Sequence, residues 1–190
     1  QNDGFTRPVE IVVPEGTLLN AVRPAACFNR HMIGQRTCDL VSRALAPVLP
    51  ERVHGVNGSA PGWVTILTPL EGDFKDAPRL SAFAGGTGAR HGQNGQTVHY
   101  PANLSSTPVE VMERTLPIRV VEKRIREGSG GEGAWHGGDG QSVEILIEGP
   151  LVYLLMAGHI EQAPQGVLGG GSGASGEFII DGVNLPPGSG

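Results

Sequence analysis

Three stretches of this sequence gather side chains that could do chemistry. Ser129, His136 and Asp139 place a hydroxyl, an imidazole and a carboxylate in one glycine-rich loop that runs from Ser129 to Gly140. Glu110 and Glu113 lie one helical turn apart if their segment is helical, so two carboxylates could share a face and act on one proton or one cation. Gly85, Gly86 and Gly88, followed by Arg90, offer backbone amides able to converge on an anion, because a chain without side chains approaches closely. Arg90 would add a bidentate grip on a carboxylate, carboxyphosphate or acyl-phosphate oxygen. Ser129, Gly130 and Gly131 repeat that pattern of small residues in the later loop.

Each feature also has a plainer explanation. Triad members normally converge from separate elements, whereas a loop holding six glycines needs outside packing to be rigid, with Trp135 as the available anchor. His136 and Asp139 are therefore read as pocket or interface residues rather than as members of a triad. The glycines equally suit tight turns or close main-chain packing between layers. Glu110, after Ser-Thr-Pro, suits a helix N-terminus, where the dipole stabilises a carboxylate without catalysis, and Glu113 suits solvent.

Several short motifs fail on context. Gly128-Ser-Gly-Gly-Glu-Gly133 and Gly171-Ser-Gly-Ala-Ser-Gly176 match G-x-G-x-x-G, but further glycines or a strand-like run follow, so no helix opens there to aim its amides at a pyrophosphate. No G-x-x-x-x-G-K-[ST] occurs, so ATP chemistry would need another design or another subunit. The six histidines show no H-E-x-x-H or paired Cys/His spacing, which leaves each an ordinary polar or capping role and no metal site here. No G-x-S-x-G elbow is present. Cys27 and Cys38 are the only cysteines; one helix carrying both would hold them roughly 16 Å apart, beyond disulfide reach, so two reduced, partly buried thiols are expected.

The formal charge of -5 argues against a nucleic-acid footprint, which needs clustered Lys and Arg. No run reaches membrane-spanning length and no export-like pattern follows Gln1, so a cytoplasmic setting is the default. Gly 30 and Pro 15 approach the range of low complexity. Disorder is still the weaker reading, because apolar residues are grouped into runs with glycine and proline between them.

The elements that must position these residues read as α+β, strand-rich with Gly-rich loops and one long helix in the N-terminal half. Val9 to Val13 predicts a strand, turned by Pro14-Glu-Gly16. Ile33, Thr37, Leu40, Val41, Ala44, Leu45 and Val48 recur at helical steps and predict a buried stripe, with Gln35, Arg36, Asp39, Ser42 and Arg43 facing away and Pro47 ending the helix. Strands are expected at Trp63–Thr68, Arg119–Arg126, Gln141–Ile147, Leu151–Ala157 and Glu177–Ile180. Pro108 to Arg114 suits a short helix, and Gly149-Pro150 a hairpin or sheet corner.

Order and composition of longer blocks carry more than the short motifs. Ala84-Gly-Gly-Thr-Gly-Ala-Arg90, then Asn103-Leu-Ser-Ser-Thr-Pro-Val-Glu110 with Glu113, then Ser129 to Gly140 with its Trp135-His-Gly-Gly138, resembles the hydantoinase B and 5-oxoprolinase family. Asn2 to Pro8, Pro14 to Asn20 and Gly166 to Gly171 fit the same register, so the likeness covers nearly the whole chain. Two exchanges bear on substrate: His136 stands where the family pattern has arginine, and Asn94 where it has aspartate.

The resemblance implies that residues 1–190 are a single interior-to-C-terminal segment of a larger subunit, with any divalent metal held outside it. It implies a hetero-oligomer with a hydantoinase A-like ATP-binding partner that opens cyclic amides, with ATP on the partner. A related acetone or acetophenone carboxylase subunit is the alternative chemistry. A scaffold or interface role is the alternative of another class. On the enzymatic reading Glu110, His136 and Asp139 would be catalytic, and Gly85, Gly86, Gly88, Arg90, Ser129, Gly130 and Gly131 would bind the anionic part of a small-molecule substrate.

Overall fold

The computed structural model describes residues 7–26, 30–58, 63–100 and 105–185. Helix α1 spans Arg30–Leu45 and helix α2 Val109–Thr115, with strands β1 (Trp63–Pro69), β2 (Arg79–Phe83), β3 (Ile118–Arg126), β4 (Gly140–Ile147), β5 (Leu151–Ala157), β6 (Ile179–Ile180) and β7 (Val183–Asn184). The architecture is α+β, with antiparallel pairing throughout the described sheets: β2-β1-β5, the ribbon β3-β4, and the short pair β6-β7. β2 and β7 escaped the sequence reading, because Arg79-Leu-Ser-Ala-Phe83 and the two-residue β7 hold too few apolar positions for a period.

The core forms where α2 lies over the strands. Leu67 of β1, Met112 of α2, Leu116 and Ile118 are buried together, with Phe83, Ile145 and Leu151 packed against them. Pro108 precedes the first helical residue of α2, where its missing N–H removes nothing the helix needs, and the Leu116 amide closes the far end on the Met112 carbonyl. Glu113 turns to β3, its Oε1 accepting the Val120 amide at 2.8 Å beside the bulge between Val120 and Glu122. Gly149-Pro150 makes a corner rather than a hairpin: β4 belongs to the ribbon and β5 to the three-stranded sheet.

Three expectations are corrected. Val9 to Val13 forms no strand; it is mostly exposed, and no strand among the described residues pairs with it. The expected turn is present, with Gly16 at φ 79 and the Asn20 Nδ2 donating to the Val13 carbonyl at 2.9 Å. Helix α1 forms and stops before Pro47, but it is rotated from the expected orientation. Leu40 and Val41 are 59% and 53% exposed, while Asp39 is 3% exposed and Ser42 is buried. The polar face turns inward because the segments beneath it supply hydrogen-bond partners. Cys38 is a free, exposed thiol rather than a partly buried one, and Cys27 lies outside the described residues.

Candidate functional site

The strand ends gather the glycine blocks. Trp63 at the start of β1 pairs with Phe83 at the end of β2 and Ala157 at the end of β5, so the chains leaving β2 and β5 emerge at the same sheet edge, on either side of β1. The loop from β3 to β4 joins them, since Gln141 Nε2 donates to the Ala84 carbonyl at 2.8 Å. The blocks then interlock through the main chain. Thr87 donates to Gln96 at 3.0 Å, Gly138 to Thr87 at 2.9 Å, Gly95 to His136 at 2.8 Å, Val98 to Asp139 at 2.8 Å and Gly171 to Glu132 at 2.7 Å. Glycine is required at the closest crossings: a Cβ at Gly86 would overlap the Gly138 carbonyl, and one at Gly138 would overlap the Gln96 carbonyl.

Within this junction the side chains singled out from the sequence hold backbone or face solvent. Asp139 Oδ1 accepts the Gly130 amide at 2.9 Å and Ser129 Oγ accepts the Gly140 amide at 2.8 Å. The imidazole of His136 pairs with Glu132 at 3.0 Å, and its backbone amide donates to Asn94 Oδ1 at 2.9 Å. Trp135 packs against His91 with the rings tilted and their centroids 4.7 Å apart. Arg90 is exposed and its guanidinium donates to Gln93 Oε1. Gly88 donates to Asn57 Oδ1 at 3.0 Å, while the amides of Gly85, Gly86 and Gly131 carry no hydrogen bond among the described residues. Glu110 is exposed on the first turn of α2, and no hydrogen bond or ion pair among the described residues joins it to the junction. Asn103 lies outside the described residues.

A second polar assembly lies under α1, and the sequence reading missed it. Asp39 Oδ1 accepts from the Asn57 backbone amide at 3.3 Å and from Asn57 Nδ2 at 3.0 Å. Ser42 Oγ exchanges hydrogen bonds with the backbone of His54, accepting its amide at 3.2 Å and donating to its carbonyl at 3.3 Å. Arg36 Nη1 lies 2.9 Å from Nε2 of His159, a buried residue with left-handed backbone at φ 58. A guanidinium only donates, so Nε2 accepts and the proton sits on Nδ1, which donates to the Gln162 carbonyl at 2.9 Å. The Asn57 carbonyl is 3.1 Å from the same Nε2; protonating that nitrogen would satisfy it but set an imidazolium against the guanidinium.

Burial dominates the electrostatics here. It pushes the Asp39 carboxyl above its ordinary range, against the opposing pull of the Asn57 hydrogen bonds and the charges of His54 and Arg36. Burial likewise lowers Arg36, with Asp39 opposing. The signal in the sequence was present: Gln35, Arg36, Asp39 and Ser42 recur at three- and four-residue steps as regularly as the apolar stripe does.

No group of three or more His, Cys, Asp or Glu is placed to hold a metal ion among the described residues, and no helix there is long and apolar enough to cross a membrane.

The sequence profile of the hydantoinase B/oxoprolinase family matches residues 1–188. A putative D-/L-hydantoinase of the B type from Pseudomonas sp. (strain NS671) is 30% identical over 132 residues, covering 67% of this chain and 22% of that protein. The 5-oxoprolinase of Pestalotiopsis fici is 29% identical over 94% of this chain and 14% of its own length. That of Dictyostelium discoideum is 30% identical over 94% of this chain and 13% of its own length. Among solved structures, nucleotide-free acetone carboxylase, described with its mechanism of ATP-dependent acetone carboxylation, shares the fold over 72% of this chain and 19% of that one, at TM-score 0.56 and 21% identity. The chain thus spans less than a quarter of each of these proteins. The matched profile, the relatives and the order of the glycine blocks agree, and the chain belongs to the hydantoinase B/oxoprolinase family.

Proposed function

We propose that this chain is an interior-to-C-terminal segment of a subunit of an ATP-dependent cyclic-amide hydrolase of the hydantoinase or 5-oxoprolinase type. It would work in a cytoplasmic hetero-oligomer with an ATP-binding partner subunit. The observation that carries this reading is the convergence of the glycine blocks, in a family whose relatives are named hydantoinase and 5-oxoprolinase. The amides of Gly85 and Gly131, half-buried and without a hydrogen bond among the described residues, are donors suited to an anionic oxygen, with that of the buried Gly86 beside the first, and Arg90 stands exposed at the edge of the first block. Nucleotide chemistry stays with the partner, and no step assigned to this chain runs through it.

In this proposal the amides and Arg90 orient the substrate's anionic part, and Glu110, His136 and Asp139 handle protons around it. His136, held by Glu132 at 3.0 Å, is the exposed imidazole best supported for moving a proton. The fold shared with acetone carboxylase keeps ketone carboxylation as the alternative chemistry. Main-chain packing at Gly86 and Gly138 favours a second reading of another class, in which the junction is a scaffold or interface.

ATP-dependent turnover of hydantoin, 5-oxoproline and acetophenone by the complete complex separates these readings. Arg90→Ala and Glu110→Gln should each lower turnover by about 100-fold or more with assembly unchanged. Unchanged turnover refutes the catalytic assignment, and loss of co-purification with the ATP-binding chain supports the scaffold.

A further inference from the structure

Asn57 lies between the polar face of α1 and the first glycine block and bonds to both. Its Nδ2 donates to Asp39 Oδ1 at 3.0 Å, and its Oδ1 accepts the Gly88 amide at 3.0 Å. Chemistry allows the carboxamide only this way round. The Gly88 N–H can only donate, and Asp39 Oδ1 already accepts the Asn57 backbone amide at 3.3 Å, so a flipped side chain would set donor against donor and acceptor against acceptor. Asp39 is buried, so water does not compete for its bond to Asn57. The backbone around Asn57 runs along the same block. Gly55 donates to the Ala89 carbonyl at 2.9 Å, a Cβ at Gly88 would overlap the Gly55 carbonyl, and one at Gly58 would come to 3.3 Å from the Gly86 carbonyl.

We infer that Asn57 is a positioning residue for the glycine block 85–90, with Asp39 behind it to fix the direction of its carboxamide. The inference rests on the reading of that block as the holder of the substrate's anionic part, and adds the pair of side chains that sets its place against α1. Glycine imposes little on its own backbone angles, so the block needs hydrogen bonds from outside to keep its amides and Arg90 aimed at one point. Thr87 is tied to Gln96 and Gly138, and Gly88 to Asn57. Removing the Asn57 side chain therefore slackens Gly88 while Thr87 keeps the block attached to the junction. A grip on the anionic part acts on substrate and transition state alike, so slackening it raises KM and leaves kcat nearly unchanged. Simple loss of folded protein does the opposite, lowering kcat with KM intact.

Two measurements test this. In the full chain labelled with nitrogen-15, hydrogen exchange at the Gly88 amide should quicken by at least about ten-fold in Asn57→Ala and in Asp39→Leu. Asp39→Asn, which keeps an acceptor for Asn57, should restore the slow rate. In the complete complex, with whichever of hydantoin, 5-oxoproline and acetophenone is turned over, Asn57→Ala should raise KM about ten-fold and change kcat by less than about three-fold. Should Asn57→Ala lose its dispersed spectrum, Asn57→Ser, which fills more of the space but cannot span both partners, carries both measurements with the same expected changes. Turnover of none of the three by the parent complex refutes the enzymatic reading, and the Gly88 exchange rates then decide by themselves whether Asn57 holds the block. A Gly88 rate indifferent to loss of the Asn57 side chain, a fall in kcat at unchanged KM, or Asp39→Asn behaving as Asp39→Leu overturns the positioning role.

Discussion

The glycine junction and the underside of α1 solve the same problem, joining distant parts of the chain, by opposite means. At the junction main chain meets main chain, and the contact is specified by what is missing: no side chain intervenes between Gly86 and Gly138. Under α1 the contact is made by side chains, with Arg36, Asp39 and Ser42 reaching His159, Asn57 and His54 while Leu40 and Val41 face outward. Close main-chain packing with main-chain hydrogen bonds dominates the first region, and side-chain hydrogen bonds dominate the second. The two should therefore respond to different insults.

Steric insult should be largest at the junction. Gly86→Ala places a methyl on the Gly138 carbonyl, and because that atom is backbone on both sides of the crossing it cannot rotate away. A cost of about 3 kcal/mol or more is expected in urea unfolding, at the severe end of overpacking. Gly72→Ala is the control: nothing lies within 4 Å, so only its φ of +80 is penalised, by roughly 1 to 2 kcal/mol. If the two substitutions cost the same, the junction is not close-packed.

The polar region should respond to pH instead. Burial raises the Asp39 pKa in the folded chain, so Asp39 contributes stability that is fully present below the ordinary carboxyl range and is lost as pH rises through the raised value. Asp39→Asn removes that dependence while keeping an acceptor for Asn57. The stability of the variant minus that of the parent should therefore increase from acid to neutral pH, and melting temperatures measured in parallel read it directly. A difference that decreases with pH would mean that the Asn57 bonds and Arg36 outweigh burial. Gly86→Ala should show no such slope.

This contrast also explains what could be read in advance. The α+β class, the core strands β1, β3, β4 and β5, and the helix ending before Pro47 follow from local periodicity and punctuation, which residues carry with them. The orientation of α1 does not. Its apolar stripe and its polar stripe are equally regular, and choosing between them requires knowing that His54, Asn57 and His159 lie opposite. Periodicity assumes that the inward face is apolar, and the partners of Arg36 and Asp39 are up to 123 residues away. Val9 to Val13 failed for a related reason, since a strand needs a neighbour that its own sequence cannot supply. The glycine blocks marked where the chain converges, but whether their amides serve one another or a ligand depends on register, which composition does not encode.

A smaller effect of opposite sign is expected within α1. Gly34 lies inside the helix with nothing within 4 Å of the position a methyl would take, so alanine there meets no clash and restricts the unfolded chain. Gly34→Ala should stabilise by about 0.5 to 1 kcal/mol, in contrast to the same chemical change at Gly86.

The smallest effect tests the rotation of the helix itself. Leu40 is adjacent to Asp39 in sequence, yet it is 59% exposed where Asp39 is 3% exposed. Leu40→Gln removes apolar surface that is already largely in water and substitutes a residue of similar helix propensity, so the change in unfolding free energy should stay within about 0.5 kcal/mol. Had the apolar stripe faced inward, the same substitution would bury an amide among apolar groups and cost several times more. A loss above about 1 kcal/mol in this chain would therefore reverse the assignment of the two faces, and with it the pairing of Asp39 with Asn57 and of Arg36 with His159.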